Sequence, residues 1–583
     1  MNLFKKLTLF ILCTSAFSLS AEITVSKIFS SDMMLQRDKA VTVWGTADSG
    51  EKISVKIAGQ KHETQVSSGK WSLKLEPLKV SGPHKMLIEG SNKIEFDNIL
   101  VGDIWLCGGQ SNMDYDIRSY VNWGRKPHKE YTSIVNNFAS YDQIRLAKMN
   151  KISTLPNQYD VPFVEDKTFK GKWMKASDNK ELILGSSAVG FVFAKKLQAD
   201  LKIPIGLIDA NKGGSFIKFW EPPHALKARG ESRPARNMFN SMLGSYAHGF
   251  PIKGFIWYQG ESDAINLQKA QEYEKTFKTM IEGWRHEFKD PEMPFLFVQL
   301  ASFERNPYMH GITYPVLRDA QTAALELDNT GMAVAIDLGM IHDIHPPQKI
   351  EVSERLFLAA KKVAYNKDIE FSGPLYKSHE IKGNKFNVSF AHSAKGLKAK
   401  SIELNGTQLS ADKVQGFELA GQNQVFHPAE AKIKGDKVEV TCAQVKKPIA
   451  LRYAYKGFPY ANLYNSVDLP CSPFRTDSFE IKFNPNDAKV YARNLFLSPK
   501  LRKIKMTLAQ KRQLVIIHDK HLNPEMEKKR QLLWKTRINA MKKYGSSSQE
   551  MIKAIANYDN FLNPLIKAID SEVVNQGIFK DQI

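Results

Sequence analysis

Two hydrophobic rhythms divide the chain. Residues 22–98 alternate apolar and polar positions in short runs: Val41–Gly45, Lys52–Ile57, Trp71–Leu75 and Lys85–Glu89. Turn signals at Asp48-Ser49-Gly50, Ser68-Gly69 and Ser81-Gly82-Pro83 separate them. Period-two alternation cut by such turns predicts half-buried strands in a small β-sandwich. Between residues 99 and 371 the apolar runs become continuous, at Ile104–Cys107, Ile203–Asp209, Lys253–Tyr258 and Ala333–Asp337. Strands of that kind are buried on both faces. Ser187–Leu201 and Leu267–Phe288 between them have helical period and length, so the order β–α–β–α predicts an α/β unit with a mostly parallel sheet. Short strands return over 372–482, a β-rich region expected to pack back on the α/β unit. Residues 489–583 have helical composition in Leu501–Leu522, Pro524–Tyr544 and Ser548–Gln576, with breaks expected at Asn523-Pro524, Gly545 and Asn563-Pro564. Leu514, Val515, Ile516, Ile517, Leu532, Leu533 and Trp534 supply the expected buried face of these helices.

The candidate chemistry lies where the continuous runs end. Ile104–Cys107 leads into Gly108-Gly109-Gln110-Ser111, and Ile203–Asp209 into Gly213-Gly214-Ser215. Lys253–Tyr258 leads into Gln259-Gly260-Glu261-Ser262, and Ala333–Asp337 into His342-Asp343-Ile344-His345-Pro346. Open α/β sheets carry their sites at the C-terminal ends of the strands. A serine after a Gly-Gly turn suits a nucleophile that must stand clear of a strand, although the string is not G-x-S-x-G and equally describes a polar cap on a turn. A serine hydroxyl attacks only when an imidazole takes its proton, and the same imidazole can then protonate the leaving oxygen.

Taken together and in this order, Gly109-Gln110-Ser111-Asn112-Met113, Pro204–Ile208 with Gly213-Gly214-Ser215, Trp257–Ser262 and Asp343-Ile344-His345-Pro346 with Lys349 resemble the sialate O-acetylesterase family of the SGNH-type hydrolase superfamily. The resemblance runs from about Ile28 to about Asp477 and includes Met34-Leu35-Gln36-Arg37. It implies a three-layer hydrolase, with Ser111 as nucleophile and His345 as base. The oxyanion hole it implies comes from the backbone amides of Ser111 and Gly214 and the side chain of Gln259. The acid that orients His345 is expected at Asp343; the superfamily's usual spacing would place it at position 342, which is His here. Asp337 and Glu261 stay open as alternatives. Trp220, Trp257 and Tyr258 suit either sugar stacking or core packing, and Arg285 and Arg318 are expected in structural ion pairs. No HExxH, CxxC or P-loop pattern occurs, and the implied chemistry needs neither metal nor other cofactor.

Charge and cysteines add to this picture at the two ends. Of the chain's net +21, residues 489–583 contribute +11, from 19 lysines and arginines against 8 aspartates and glutamates. A basic helical appendage that packs on the enzyme or mediates oligomers is preferred there over a site for acidic glycan, anionic lipid or, least of all, nucleic acid. Residues 1–21 read as a cleaved signal peptide: Lys5 and Lys6, the apolar run Leu7–Phe17, then Ser18, Ser20 and Ala21. The expected product is secreted or periplasmic, without a transmembrane segment after cleavage. Cys442 and Cys471 could then pair, and Cys107 is expected as a buried thiol. The N-terminal β-unit is read as a buttress in preference to a sugar-binding module. The expected function is removal of O-acetyl groups from a carbohydrate, sialic acid or an acetylated polysaccharide, through an acetyl-enzyme. The rival is a non-catalytic glycan-binding protein on a hydrolase scaffold. Neither the sugar nor the oligomeric state is selected by the sequence.

Overall fold

Lys93–Gly109 forms one 17-residue strand, β1, in the computed structural model. The structure describes residues 22–121, 129–149, 172–222, 225–226, 230, 238–247, 249–307, 309–483, 508–522, 525–526, 528–533, 535–536 and 549–576. The expected signal peptide over residues 1–21, residues 122–128 and 150–171, the Asn523-Pro524 and Gly545 breaks, and Trp534 lie outside the described residues.

β1 changes character along its length. Its first six residues alternate between exposed and half-buried, and the last eleven are all buried. The first part pairs antiparallel with Ser81–Glu89, and Met34–Gln36 lies parallel to its middle. The second part is the centre of the α/β sheet. Around it stand β2 (Ile144–Lys148), β3 (Trp173–Lys175), β4 (Ile205–Asn211), β5 (Gly254–Tyr258), β6 (Phe295–Gln299) and β7 (Thr330–Val334), in the order β3-β2-β4-β1-β5-β6-β7. All contacts are parallel except β3 with β2. The apolar runs had not singled out β2, β3 and β6.

Helices cover both faces. Trp105 of β1 meets Phe193 of α2 (Ala188–Leu201) edge to face at 5.1 Å. On the other face Phe255 of β5, whose register partner is Leu106, meets Trp284 of α3 (Leu267–Glu287) at 4.9 Å. The short helix α1 (Ser111–Asp114) follows β1. Beyond these lie α4 (His310–Ala323), packed on α3, and α5 (Lys349–Val363), packed on α2.

The expected boundary between residues 98 and 99 falls inside β1, and a single hydrophobic core runs from Ile23 to Ala364 across it. One carboxylate ties the two parts together. Asp103, buried in β1, accepts from Arg37 Nε at 2.9 Å and Nη2 at 3.0 Å, Gln36 Nε2 at 2.9 Å and the Tyr365 hydroxyl at 3.0 Å. Gln36 Oε1 in turn accepts the Ile104 N–H at 2.9 Å.

Residues 372–482 have their own core, from Phe386 to Phe474. Cys442 and Cys471 are both buried in it as free thiols, so the pairing open to them is not made. Arg318 clamps this region to the sheet, and its partners are carbonyls, not the carboxylates expected. Its guanidinium donates to Leu300 O and Ala301 O at the end of β6, and to Lys456 O and Gly457 O. Arg285 likewise donates to the carbonyls of Met293, Asp328 and Asn329. A guanidinium offers five donors in a fixed fork, which suits irregular backbone as well as acids.

In the tail, helices Leu508–His521 and Gln549–Asn575 meet through Leu514, Ile517, Leu565, Ile569 and Val573. The second continues through Pro564, where a break was expected. Proline costs a helix interior about 3 kcal/mol, and Leu565, Ile569 and Val573 bury on the far side of it to offset that. Ile516 and Leu532 face outwards, so the buried face is narrower than expected. No helix among the described residues is long and apolar enough to cross a membrane.

Asp103→Ala removes the shared acceptor and strands Arg37 and Tyr365. The expected loss of stability is roughly 2–4 kcal/mol, below the full cost of breaking a buried pair because Arg37 is partly hydrated. Urea unfolding of the full chain measures it, and a loss under about 1 kcal/mol contradicts this role for Asp103.

Candidate active site

β1 ends in a turn that only glycine can make. Gly109 has φ +137°, and a Cβ there would collide with the Tyr258 carbonyl of β5. That carbonyl accepts the Gln110 N–H at 3.0 Å, so the chain leaves the sheet directly beneath Ser111. Ser111 opens the four-residue helix α1, where its N–H has no intrahelical acceptor. The hydroxyl lands at the C-terminal edge of the sheet, at the strand where the chain order reverses.

His345 comes from the loop after β7, 234 residues away, and its Nε2 stands 2.9 Å from Ser111 Oγ. On the other side of the ring, Nδ1 is 3.3 Å from the Tyr115 hydroxyl, and the two rings lie 4.6 Å apart. Asp343 Oδ1 accepts the backbone N–H of His345 at 2.9 Å and so shapes the turn that presents the imidazole. The alternative acids are occupied elsewhere. Asp337 holds Arg355 with both oxygens, at 2.6 and 2.7 Å, and accepts the Tyr464 hydroxyl at 2.8 Å. Burial pushes its carboxyl up, but Arg355 outweighs this and holds it below the usual range. Glu261 is buried beneath Ser111 and accepts from Asn112 Nδ2. Burial raises its carboxyl, against which the Asn112 hydrogen bond and the charge of Lys349 work.

The Gly213-Gly214 turn after β4 lies against Ser111: a Cβ on Gly213 would be 3.7 Å from Ser111 Cβ. Gly214 has φ +70° and open space on its Cβ side. Ser215 secures the turn by donating to Lys212 O at 2.8 Å while its Oγ accepts Trp220 Nε1 at 2.9 Å. Gln259 does not reach out as expected. Its side chain is fully buried, and Nε2 donates to Gln110 Oε1 and Ser215 O at 3.1 Å and to Asp263 Oδ2 at 2.6 Å. The amide therefore braces the Ser111 and Gly214 turns from below. Trp220, Trp257 and Tyr258 are also fully buried, and their faces pack in the core.

Three side chains at the site had been given no role. Asn112 and Lys349 stood inside the quoted strings, and Tyr115 lies one helical turn after Ser111, a spacing that could have marked it. Lys349 is wholly buried at the start of α5 and donates from Nζ to Asn112 Oδ1 at 2.5 Å. Burial pulls its ammonium down to about 7, with Glu261 and Asp343 acting against the fall.

Asp263, which accepts both Gln259 Nε2 and the Ile217 N–H through Oδ2, is pushed up by burial from 3.8 to about 6. Between those values the folded protein keeps a proton that the unfolded chain releases. The group's contribution to stability therefore falls as pH rises through that window. Asp263→Asn retains the acceptor without the titration. From pH 4 to pH 7 the wild type should lose on the order of 2 kcal/mol relative to this variant. Paired urea unfolding curves test this, and equal pH slopes refute it.

The family model described as carbohydrate esterase, sialic acid-specific acetylesterase matches residues 101–359, which include every residue of this site. Human sialate O-acetylesterase is 31% identical over 405 residues, covering 61% of this chain and 74% of the human protein. The mouse sialate O-acetylesterase is 30% identical over 425 residues, 60% of this chain and 75% of the relative. A crystal structure of a carbohydrate acetylesterase from Xanthomonas citri superposes with a TM-score of 0.68 at 33% identity, covering 79% of this chain and all of that one. With these relatives and this mixed α/β fold, the chain is a carboxylic ester hydrolase and belongs to the sialate O-acetylesterase family of carbohydrate esterases.

Proposed function

We propose that this protein removes O-acetyl groups from a carbohydrate by a serine mechanism on an SGNH-type hydrolase fold. The observation that carries the reading is the 2.9 Å approach of His345 Nε2 to Ser111 Oγ beside the Gly213-Gly214 turn. His345 takes the Ser111 proton as Oγ attacks the acetyl carbonyl carbon. The negative charge that develops on the carbonyl oxygen is held by the backbone N–H groups of Ser111 and Gly214. As the tetrahedral intermediate collapses, the imidazolium returns the proton to the sugar oxygen, which leaves as the alcohol. Water, deprotonated by the same imidazole, attacks the acetyl-enzyme, and acetate departs as Ser111 regains its proton.

In this reading Asp343 is the acid of the site. It shapes the turn that presents His345 and places a negative charge near the imidazolium. Gln259 has a supporting part, since its donors are engaged with Gln110, Ser215 and Asp263. The acetyl group is small, so the loops around the serine must choose the sugar; sialic acid and acetylated polysaccharides are the first to try. A secreted or periplasmic location, read from residues 1–21, gives such an enzyme access to extracellular glycans.

Ser111→Ala, folded as judged by its unfolding curve, should lose at least about 10³-fold in acetate release from p-nitrophenyl acetate. Activity near the wild-type rate in that variant overturns the serine mechanism.

A further inference from the structure

Two buried ionisable groups behind the nucleophile take no part in the steps above. Glu261 follows β5 and Lys349 opens α5; they are 4% and 0% exposed. Between them lies Asn112, the neighbour of Ser111, 1% exposed. Its Nδ2 donates to Glu261 Oε1 and, at 3.0 Å, to the carbonyl of Ile344, while its Oδ1 accepts Lys349 Nζ at 2.5 Å. The second oxygen of Glu261 is buried without a hydrogen-bond partner among the described residues.

The chemistry of the three groups sets the direction of the amide. A carboxylate only accepts hydrogen bonds and an ammonium only donates them. An amide set between the two can therefore satisfy both in one orientation. In that orientation its remaining N–H points at Ile344 O, on the peptide that leads into His345. A flipped amide would put Oδ1 against the carboxylate and the Ile344 carbonyl, and would turn –NH₂ towards the ammonium. Even when Lys349 loses its proton, the amine keeps N–H groups to offer Oδ1. Burying two such groups is costly, and apolar side chains of similar volume would pack at least as stably. What the charged groups add is direction.

We infer that Glu261 and Lys349 are positioning residues for acyl transfer: through the Asn112 amide they lock the His345 loop to the turn that carries Ser111. Three segments distant in sequence are held by one side chain, and the Oγ–Nε2 approach depends on it. This role rests on the serine–histidine reading. Misplacement of a reacting group by about 1 Å costs up to about 10²-fold in rate, so the lock is expected to act on kcat while the binding of a small ester is unaffected.

The test uses the full chain with Glu261→Gln, Lys349→Met and the double variant. kcat and KM for p-nitrophenyl acetate are measured beside the thermal midpoint of each. Each single variant should lose about tenfold to a hundredfold in kcat with KM unchanged within about twofold, and should melt below the wild type. In the double variant no uncompensated charge remains. Its melting temperature should recover relative to the single variants while kcat stays low. Recovery of kcat together with the melting temperature, or wild-type kcat in the single variants, overturns the proposal and leaves a structural role. Ser111→Ala is run alongside. Wild-type rates there bring down the serine reading itself. An inactive Ser111→Ala beside fully active Glu261→Gln and Lys349→Met brings down this inference alone.

Discussion

The structure depends on one strand that must satisfy two environments. β1 begins as the edge of a one-sided antiparallel sheet and ends at the centre of a sheet buried on both faces. Over Trp105–Gly109 it is closed off from solvent by α2 on one side and α3 on the other, and by β4 and β5 in the plane. A strand so enclosed cannot slip in register without exposing a row of apolar side chains. Asp103 reinforces this by placing a carboxylate in the interior whose donors come from the N-terminal β-unit and from Tyr365 after α5. Part of the N-terminal unit is thus continuous with the hydrolase sheet, while Thr24–Val25, Val41–Thr46 and Lys70–Leu75 form a separate three-stranded sheet, and among the described residues both share one core with the hydrolase.

The position of Ser111 is a consequence of that enclosure. Gly109 brings the backbone against the Tyr258 carbonyl, and Gln110 is held by Tyr258 O through its amide and by Gln259 and Ser262 through its side chain. The polar groups below the serine are almost all committed to one another. Low dielectric makes each of these bonds stronger and each unpaired group more costly, so the network tolerates few arrangements.

The His345 loop has no sheet to hold it and is fixed from three directions. Asn112 holds Ile344 from inside. Asp337, at the base of the loop, is pinned by Arg355 of α5 and by Tyr464 of the C-terminal β-region. Ile341 packs with Leu404, Leu409 and Phe458, and Phe303 donates to Gly457 O at 2.9 Å from the neighbouring loop. The C-terminal β-region therefore has its own core and also serves as the outer wall of the segment that carries the imidazole.

Much of this was legible in the order of residues. Continuous apolar runs ending in Gly-Gly-Gln-Ser, Gly-Gly-Ser, Gln-Gly-Glu-Ser and Asp-Ile-His-Pro identified four strands, their parallel arrangement and the edge where polar groups collect, because burial on two faces and tight turns leave local signatures. Ser111 and His345 were paired by the family resemblance, and Ser111 Oγ and His345 Nε2 lie 2.9 Å apart. What the order of residues could not decide was how each polar side chain spends its hydrogen bonds. Asp337 and Glu261 stood as alternatives to Asp343 beside His345, and it is Arg355 and Asn112 that occupy them. Gln259 looked free to donate until Gln110, Ser215 and Asp263 were found around it. Pro564 signalled a break until the helix that packs against its neighbours was seen to continue. Local pattern determines which face of an element is buried; the partner of a buried polar group is set by elements hundreds of residues away, and only the assembled sheet brings those together.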